Sequence, residues 1–216
     1  MRTASLWGKP PTRYYSFLRH VERSFTATRL RVAILGCSDG KFVLPAARRG
    51  HSVFAIDVDE TALFGGKKTG PTGEVQMIGL VERLLLEGMS DLVNVVHGDF
   101  VEHTHTPSKR FHAVFTSGAI QYSRNMKHTM RDMIERVKAY VMKGGYLYAD
   151  YMLPMEHKYI GRDNYPDKER WASFFEPERW DVIYNRVLPP LFEKAHVDLP
   201  VDHYHHWGHL FARRLR

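Results

Sequence analysis

Two hydrophobic periods alternate along this chain, and each change of period marks an element. Nearly continuous apolar runs occur at Val32-Ala33-Ile34-Leu35, Val53-Phe54-Ala55-Ile56, Leu92 to His97, Phe111 to Thr116 and Tyr146-Leu147-Tyr148-Ala149. Short runs of this kind read as strands buried on both faces. Between them the apolar residues fall at helical spacing. Tyr14, Tyr15, Phe17, Leu18, Val21 and Phe25 predict a helix from about Thr12 to Arg23 with Thr12 as N-cap. Lys41 to Arg49 predicts a short helix, bent at Pro45 and ended by Gly50. Val75, Ile78, Leu80, Val81, Leu84 and Leu85 predict another over Glu74 to Glu87, ended by Gly88. A fourth spans Met126 to Met142 and is closed by Lys143-Gly144-Gly145. Strand and helix in alternation imply βαβ units and a parallel sheet.

From Tyr151 onward the pattern is broken by prolines 154, 166, 177, 189, 190 and 200. Within that tail, Pro166 to Trp180 contains a helical stretch. Trp180 to Val187 and Gly208 to Arg213 read as an antiparallel strand pair at the sheet edge. Ala62 to Gly73 reads as a mobile active-site loop; its glycines and lysines suggest a phosphate grip, but no G-K-[ST] follows. The expected organisation is a single domain over 1–216: an N-terminal arm or lid at 1–30, a nucleoside-binding core at 31–151 and C-terminal edge strands at 152–216.

The chemistry concentrates in Arg31 to Asp57, where a strand runs into Gly36-Cys37-Ser38-Asp39-Gly40, a helix follows, and a second strand ends in an acid. Gly36 and Gly40 permit a tight turn that brings backbone N–H groups close to a ligand. Asp57 arrives where a carboxylate can accept both hydroxyls of a ribose. Three readings compete. A dinucleotide site wants G-x-G-x-x-G, and here Ser38 and Val43 hold the second and third glycine positions. A nucleophile elbow is spelled literally by the G-x-S-x-G, but only thirty residues precede Arg31 and none of them reads as a strand pair. The third reading is the first motif of class I S-adenosylmethionine-dependent methyltransferases, which the stretch resembles in its glycine turn and in the acid ending the second strand. Gly98-Asp99-Phe100 after the third strand and Gly144-Gly145 before the fifth extend the resemblance. The closing strand with its basic tail, His209 to Arg214, points toward the small tellurite-resistance and thiopurine-type methyltransferases.

This resemblance implies a Rossmann-like α/β fold: a seven-stranded, mostly parallel sheet with helices on both faces and a final antiparallel strand. It implies S-adenosyl-L-methionine as cofactor, held by Gly36, Ser38, Asp39, Gly40, Asp57, Val58, Asp99, Phe100, Ser117 and Gly118. Within that set, Asp99 would accept the adenine amino group, Phe100 would pack on the base, and Ser38 or Asp39 would bind the ammonium or carboxylate of the methionine half. Ser38 is the departure that matters, because it adds a side chain where that half should approach. Methyl transfer is an in-line displacement that needs alignment and loss of water more than a metal. The acceptor, a small molecule, would enter between the arm and the Ser117 to Tyr122 loop. Tyr14, Tyr15, Ser117, Gln121 and Tyr122 are the candidate catalytic residues, and Trp7, Tyr14 and Tyr15 are aromatic lid candidates for a sulfonium.

Composition narrows the alternatives. The formal charge is +7, but the basic residues are spread along the chain and often sit beside acids, so a basic nucleic-acid-binding module remains only an alternative. Cys37 is the sole cysteine, which removes any intramolecular disulfide and any cysteine-based zinc site, and no span is apolar enough for a membrane helix; a cytoplasmic location is expected. His103 and His105 read as a polar surface loop. Asp202-His203-Tyr204-His205-His206-Trp207-Gly208-His209 places His203 and His205 on one face of a strand near a carboxylate, a suitable donor set. Its spacing matches no recognised metal pattern, so the expectation is chance clustering at an edge hairpin and no metal. A further enzymatic alternative is intramolecular attack by the cofactor's own amino group, giving a cyclic amino acid and methylthioadenosine.

Overall fold

The computed structural model describes residues 4–70, 73–103, 110–121, 127–155, 160, 162, 164–196, 199 and 201–216. Its elements in chain order are α1 (Thr12–Ser24), β1 (Arg31–Leu35), α2 (Val43–Ala47), β2 (Ser52–Asp57), α3 (Glu60–Phe64), β3 (Gly66–Gly70), β4 (Gly73–Met77), α4 (Leu80–Leu86), β5 (Val93–His97), β6 (Phe111–Ser117), α5 (Met130–Tyr140), β7 (Val141–Met152), α6 (Lys168–Ala172), β8 (Trp180–Val187), β9 (Leu191–Glu193), β10 (His203–His205) and β11 (Trp207–Arg214).

Seven of the strands form one sheet in the order β5-β2-β1-β6-β7-β11-β8. All neighbours are parallel except β11, which runs antiparallel to both β7 and β8. The period-two alternation within each buried strand feeds two separate cores. Val32 and Ile34 point to the face covered by Phe17, Leu18 and Val21 of α1, Leu44 of α2 and Leu80 and Leu84 of α4. Ala33 and Leu35 point to the other, covered by Met133, Ile134 and Val137 of α5 and Trp171 of α6. The expected Rossmann-like architecture, with its one antiparallel strand, is therefore what the chain forms. No helix among the described residues is long and apolar enough to cross a membrane.

Local structure departs from expectation in four places. Thr12 is the first residue of α1, and Pro11 is the N-cap, its fixed φ leading directly into the helix. The expected loop at 62–73 instead forms α3 and the first strand of the β3–β4 hairpin, closed by the Lys67 to Glu74 ion pair at 2.8 Å. The expected helix from Glu74 begins only at Leu80. Glu74-Val75-Gln76-Met77 alternates with period two, and Gly79 must lie against the chain at Gly65, where an added Cβ would stand 2.2 Å from Gly65 N. Finally, α5 starts at Met130, behind a capping box of Thr129 and Asp132, and Gly144-Gly145 lie inside β7 rather than before it. Gly144 has φ +77, and the register of β7 against β6 shifts between Phe111 and Ala113, so the pair forms an irregular strand entry, not a helix stop.

Candidate active site

The strand order reverses at β1, whose neighbours are β2 on one side and β6 on the other. Open α/β sheets bind ligands in the crevice beyond the carboxyl ends at such a reversal. The glycine turn and the segment after β6 meet there so closely that a Cβ on Gly36 (φ +71) would lie 2.5 Å from Ala119 Cβ. Gly36 N–H and Cys37 N–H both donate to the Ile56 carbonyl, at 2.9 and 3.1 Å, which bends the turn toward β2. Gly40 at φ +88 packs against Leu80 and Leu44. Ser38 is the sole non-glycine residue with positive φ, +46, among the described residues. That conformation aims its N–H at Asp57 Oδ2, 2.6 Å away, while the Asp59 N–H donates to Asp57 Oδ1 at 2.9 Å. Burial raises the Asp57 pKa above the usual carboxylate value, and the Asp59 and Ser38 N–H bonds offset part of that rise. Each carboxylate oxygen keeps a lone pair for a further donor. Val58 beside it is 54% exposed, an apolar surface next to the acid.

The N-terminal arm is fastened to this turn. Ser5 Oγ donates to Asp39 Oδ1 and the Leu6 N–H to Asp39 Oδ2, both at 2.7 Å. Trp7 Nε1–H donates to Ser38 Oγ at 2.8 Å. Arg83 approaches Asp39 Oδ2 at 3.4 Å and also donates to the Asp39 carbonyl. Asp39 is thus buried and committed to the arm and to Arg83, which corrects the expectation that its carboxylate faces a ligand. Tyr14 is corrected too. It is fully buried, its hydroxyl donates to the Phe42 carbonyl at 2.5 Å, and its ring packs edge-on against Phe115 at 4.6 Å. Burial pushes its pKa far up, so it supports the turn from below. Tyr15, half-buried, meets the Tyr14 ring edge-on at 6.0 Å. Cys37 is buried and its thiol pKa is raised by that burial. With Trp7 rather than an imidazole on Ser38 Oγ, the turn lacks the geometry of a nucleophile elbow.

After β6, Ser117 Oγ donates to Asp150 Oδ2 at 2.7 Å. Asp150 ends the inner part of β7 and is 1% exposed; its other oxygen is hydrogen-bonded to His209 Nδ1, and Arg13 lies 3.5 Å from Oδ2. Tyr148 Oη stands 3.1 Å from His209 Nδ1, and burial raises the Tyr148 pKa well beyond the phenol range. Among the described residues, His209 Nε2 and Gln121 Oε1 are buried atoms without a hydrogen-bond partner. Gly118 at φ +73 leaves room for Gln121 Nε2 at 3.4 Å and the Trp207 ring at 3.9 Å from where its Cβ would be. Tyr122 lies outside the described residues, as does His105. Beyond β5, Asp99 Oδ1 accepts the Val101 N–H at 2.8 Å, and Oδ2 lies 3.4 Å from His128. Phe100 is 7% exposed within the α5-side core, so its ring belongs to the packing there instead of standing open to a base.

Asp150 is the residue that sequence reasoning missed here, and His209 was read only as one member of the 202–209 histidine run. The available signal was the one used for Asp57: an acid ending a buried apolar run. His209 is placed by register, directly across from Asp150 on β11. Glu193 and His196 were also missed. They stand with His203 and His205 in one group on the β9–β10 hairpin, with the Trp7 ring edge-on to His196 at 5.5 Å. Lys41 feels both this hairpin and the Asp150 network: burial first, and then the Arg13 charge, lower its pKa, while Glu193 and Asp150 act in the opposite direction.

The methyltransferase domain model matches residues 34–149, more than half of the 216. No curated protein matches the chain by sequence. Among solved structures, TehB from Haemophilus influenzae superposes with a TM-score of 0.63 at 11% identity, over 94% of this chain and 62% of its own, so the chain spans under two thirds of that protein's length. Magnesium protoporphyrin IX methyltransferase from Synechocystis PCC 6803, crystallised with bound SAM, gives 0.61 at 11% identity over 94% and 78%. The 1,6-didemethyltoxoflavin-N1-methyltransferase of Burkholderia thailandensis, crystallised with bound 1,6-didemethyltoxoflavin and S-adenosylhomocysteine, gives 0.61 at 12% over 95% and 77%. At these identities the superpositions speak for the fold, and the domain match speaks for the family. With the glycine turn, the acid of β2 and the strand order all in place, the chain belongs to the methyltransferase domain family, the class I enzymes that use S-adenosylmethionine.

Proposed function

We propose that this chain transfers the methyl group of S-adenosylmethionine to a small-molecule acceptor by in-line displacement. The observation that carries the reading is the meeting of the Ser38 N–H, Asp57, Gly36 and Gly118 at the strand reversal, with the buried Ser117–Asp150–His209 network beside them. In this reading Asp57 accepts the ribose hydroxyls, Val58 lies along the adenine, and Asp99 accepts from the adenine amino group. The backbone at Gly36 and Gly118 gives close approach to the methionine half. The bound sulfonium supplies an electrophilic methyl carbon; everything else falls to the chain.

The arm is the lid. Trp7 seals the turn and excludes water, and the acceptor stands between the arm and Ser117. Loss of a proton from the acceptor is served by Ser117 Oγ, whose own hydrogen is already directed at Asp150 Oδ2 at 2.7 Å. Arg13 and His209 hold that carboxylate in place. The small-molecule character of the acceptor is supported by the Burkholderia neighbour, whose substrate is small.

The closed arm also favours a second reading, intramolecular chemistry with release of methylthioadenosine, because three hydrogen bonds draw the arm down onto the turn. One incubation separates the two. The full chain is mixed with S-adenosylmethionine alone and the products are read by mass spectrometry. Intact bound cofactor is expected; methylthioadenosine without acceptor would replace the first reading with the second. Asp57→Ala is expected to abolish S-adenosylhomocysteine binding in calorimetry while the circular dichroism of the fold is kept. Unchanged affinity would remove the ribose assignment.

A further inference from the structure

We infer that the β9–β10 hairpin carries a metal site for a divalent transition ion of the zinc class, formed by Glu193, His196, His203 and His205. The sequence led to the expectation of no metal, and the geometry points the other way. One ligand atom from each of the four lies within 4.8 Å of every other.

Strand register explains the convergence. Glu193 is paired directly with His203 across the antiparallel ladder, and His205 is paired with Leu191, two residues from Glu193. Side chains alternate, so Glu193, His203 and His205 share one face of the hairpin, while the Phe192 and Tyr204 rings meet edge-on on the other at 5.2 Å. His196 reaches the same point because the chain turns at the His196–Leu199 bridge. Asp202 holds that turn by accepting the Ala195 N–H at 2.9 Å.

The three imidazoles present the same atom. Nε2 of His196, His203 and His205 lies 3.8, 3.9 and 3.5 Å respectively from Glu193 Oε2. His203 Nε2 and His205 Nε2 are 2.8 Å apart. A tetrahedral zinc with bonds of about 2.05 Å separates its ligand atoms by about 3.3 Å, and these four separations lie within about 0.6 Å of that value. His203 Nδ1 is 2.8 Å from the Val201 carbonyl, and only a protonated Nδ1 can bond there. That hydrogen bond leaves the Nε2 lone pair facing the cluster, which is the outer-shell arrangement that metal-bound histidines use. Three neutral imidazoles and one carboxylate form a donor set that suits zinc or iron(II) and not a hard cation. Four protein ligands close the coordination sphere, so the role is structural. The ion would clamp the hairpin, and with it His196, against Trp7 of the arm.

The experiment treats the purified full chain with a chelator, removes it, and titrates zinc against a chromophoric competitor, with metal content measured after gel filtration. One zinc per chain is expected. The His203→Ala/His205→Ala double variant should lose more than about a hundredfold in affinity, beyond the 10–100-fold typical of losing an outer-shell partner. Glu193→Gln should weaken binding, and His206→Ala, outside the cluster, should not. Cobalt(II) loaded into the unaltered chain should give the intense visible absorption of a tetrahedral ion. Failure to take up zinc, retention of affinity by the double variant, or a weak octahedral cobalt spectrum would each overturn the site; the cobalt measurement stands even if a variant fails to fold.

Discussion

Ser38 and Gly36 show how much of this turn is decided one residue at a time. Gly36 is needed twice, for its positive φ and for the space taken by Ala119. Gly36→Ala should therefore cost about 2–5 kcal/mol, the sum of left-handed strain and overpacking, visible as a lower midpoint in urea unfolding. Ser38 adopts the left-handed conformation without being glycine, and its Oγ has a use there, since it receives the Trp7 indole. Asp57 sets a pH dependence. Only its ionised form can accept two hydroxyl hydrogens, and burial raises its pKa above the ordinary value of about 3.9. Affinity for S-adenosylhomocysteine should thus fall as the solution is acidified through that raised value, beginning at higher pH than for an exposed aspartate. Calorimetry over a pH series checks this, and a flat profile would contradict it. At this scale the sequence was informative where a residue's type dictates backbone conformation or charge. It was not where partners decide: Asp39 and Asp57 look alike in the chain, and only the fold puts the arm on one and leaves the other facing the crevice.

At the scale of elements, the arm offers the clearest test. Trp7→Phe keeps an aromatic ring, though a smaller one, and removes one hydrogen bond, worth about 1 kcal/mol. If the arm closes over the ligand, S-adenosylhomocysteine should dissociate about fivefold faster in stopped-flow measurements; an unchanged rate would make the arm a fixed part of the surface. The strands of the core were legible because burial on both faces leaves little choice of residue. β1, β2 and β6 differ from expectation by a residue at most, and β8 coincides with it. Residues 62–79 were not legible. Helical spacing from Val75 to Leu85 is present, yet Gly79 must pass against Gly65, and that tertiary contact divides the run into a strand and a helix. The hairpin of β9 and β10 was hidden for a related reason. The histidine pair could be seen in the chain, but Glu193 and His196 join it only through ladder register.

For the whole molecule, the net charge of +7 is distributed, with Arg48, Arg49 and Lys138 each paired to a glutamate. Affinity for duplex DNA should accordingly stay in the non-specific range of about 10⁻⁴–10⁻⁶ M at physiological salt, measured by fluorescence anisotropy; a tight, steeply salt-dependent complex would revive the nucleic-acid reading. The sheet itself carries one more implication. β8 precedes β11 in the chain, yet in the sheet β11 lies between β8 and β7. A chain emerging from the ribosome makes β8 before the strand that will receive it, so β8 must wait while the hairpin and then β11 are synthesised. His209, the partner of Asp150, comes on that same last strand. Assembly in time therefore runs opposite to the spatial order at this edge. The Asp57 end of the crevice can form early, whereas the Asp150–His209 pair is completed only when β11 joins the sheet.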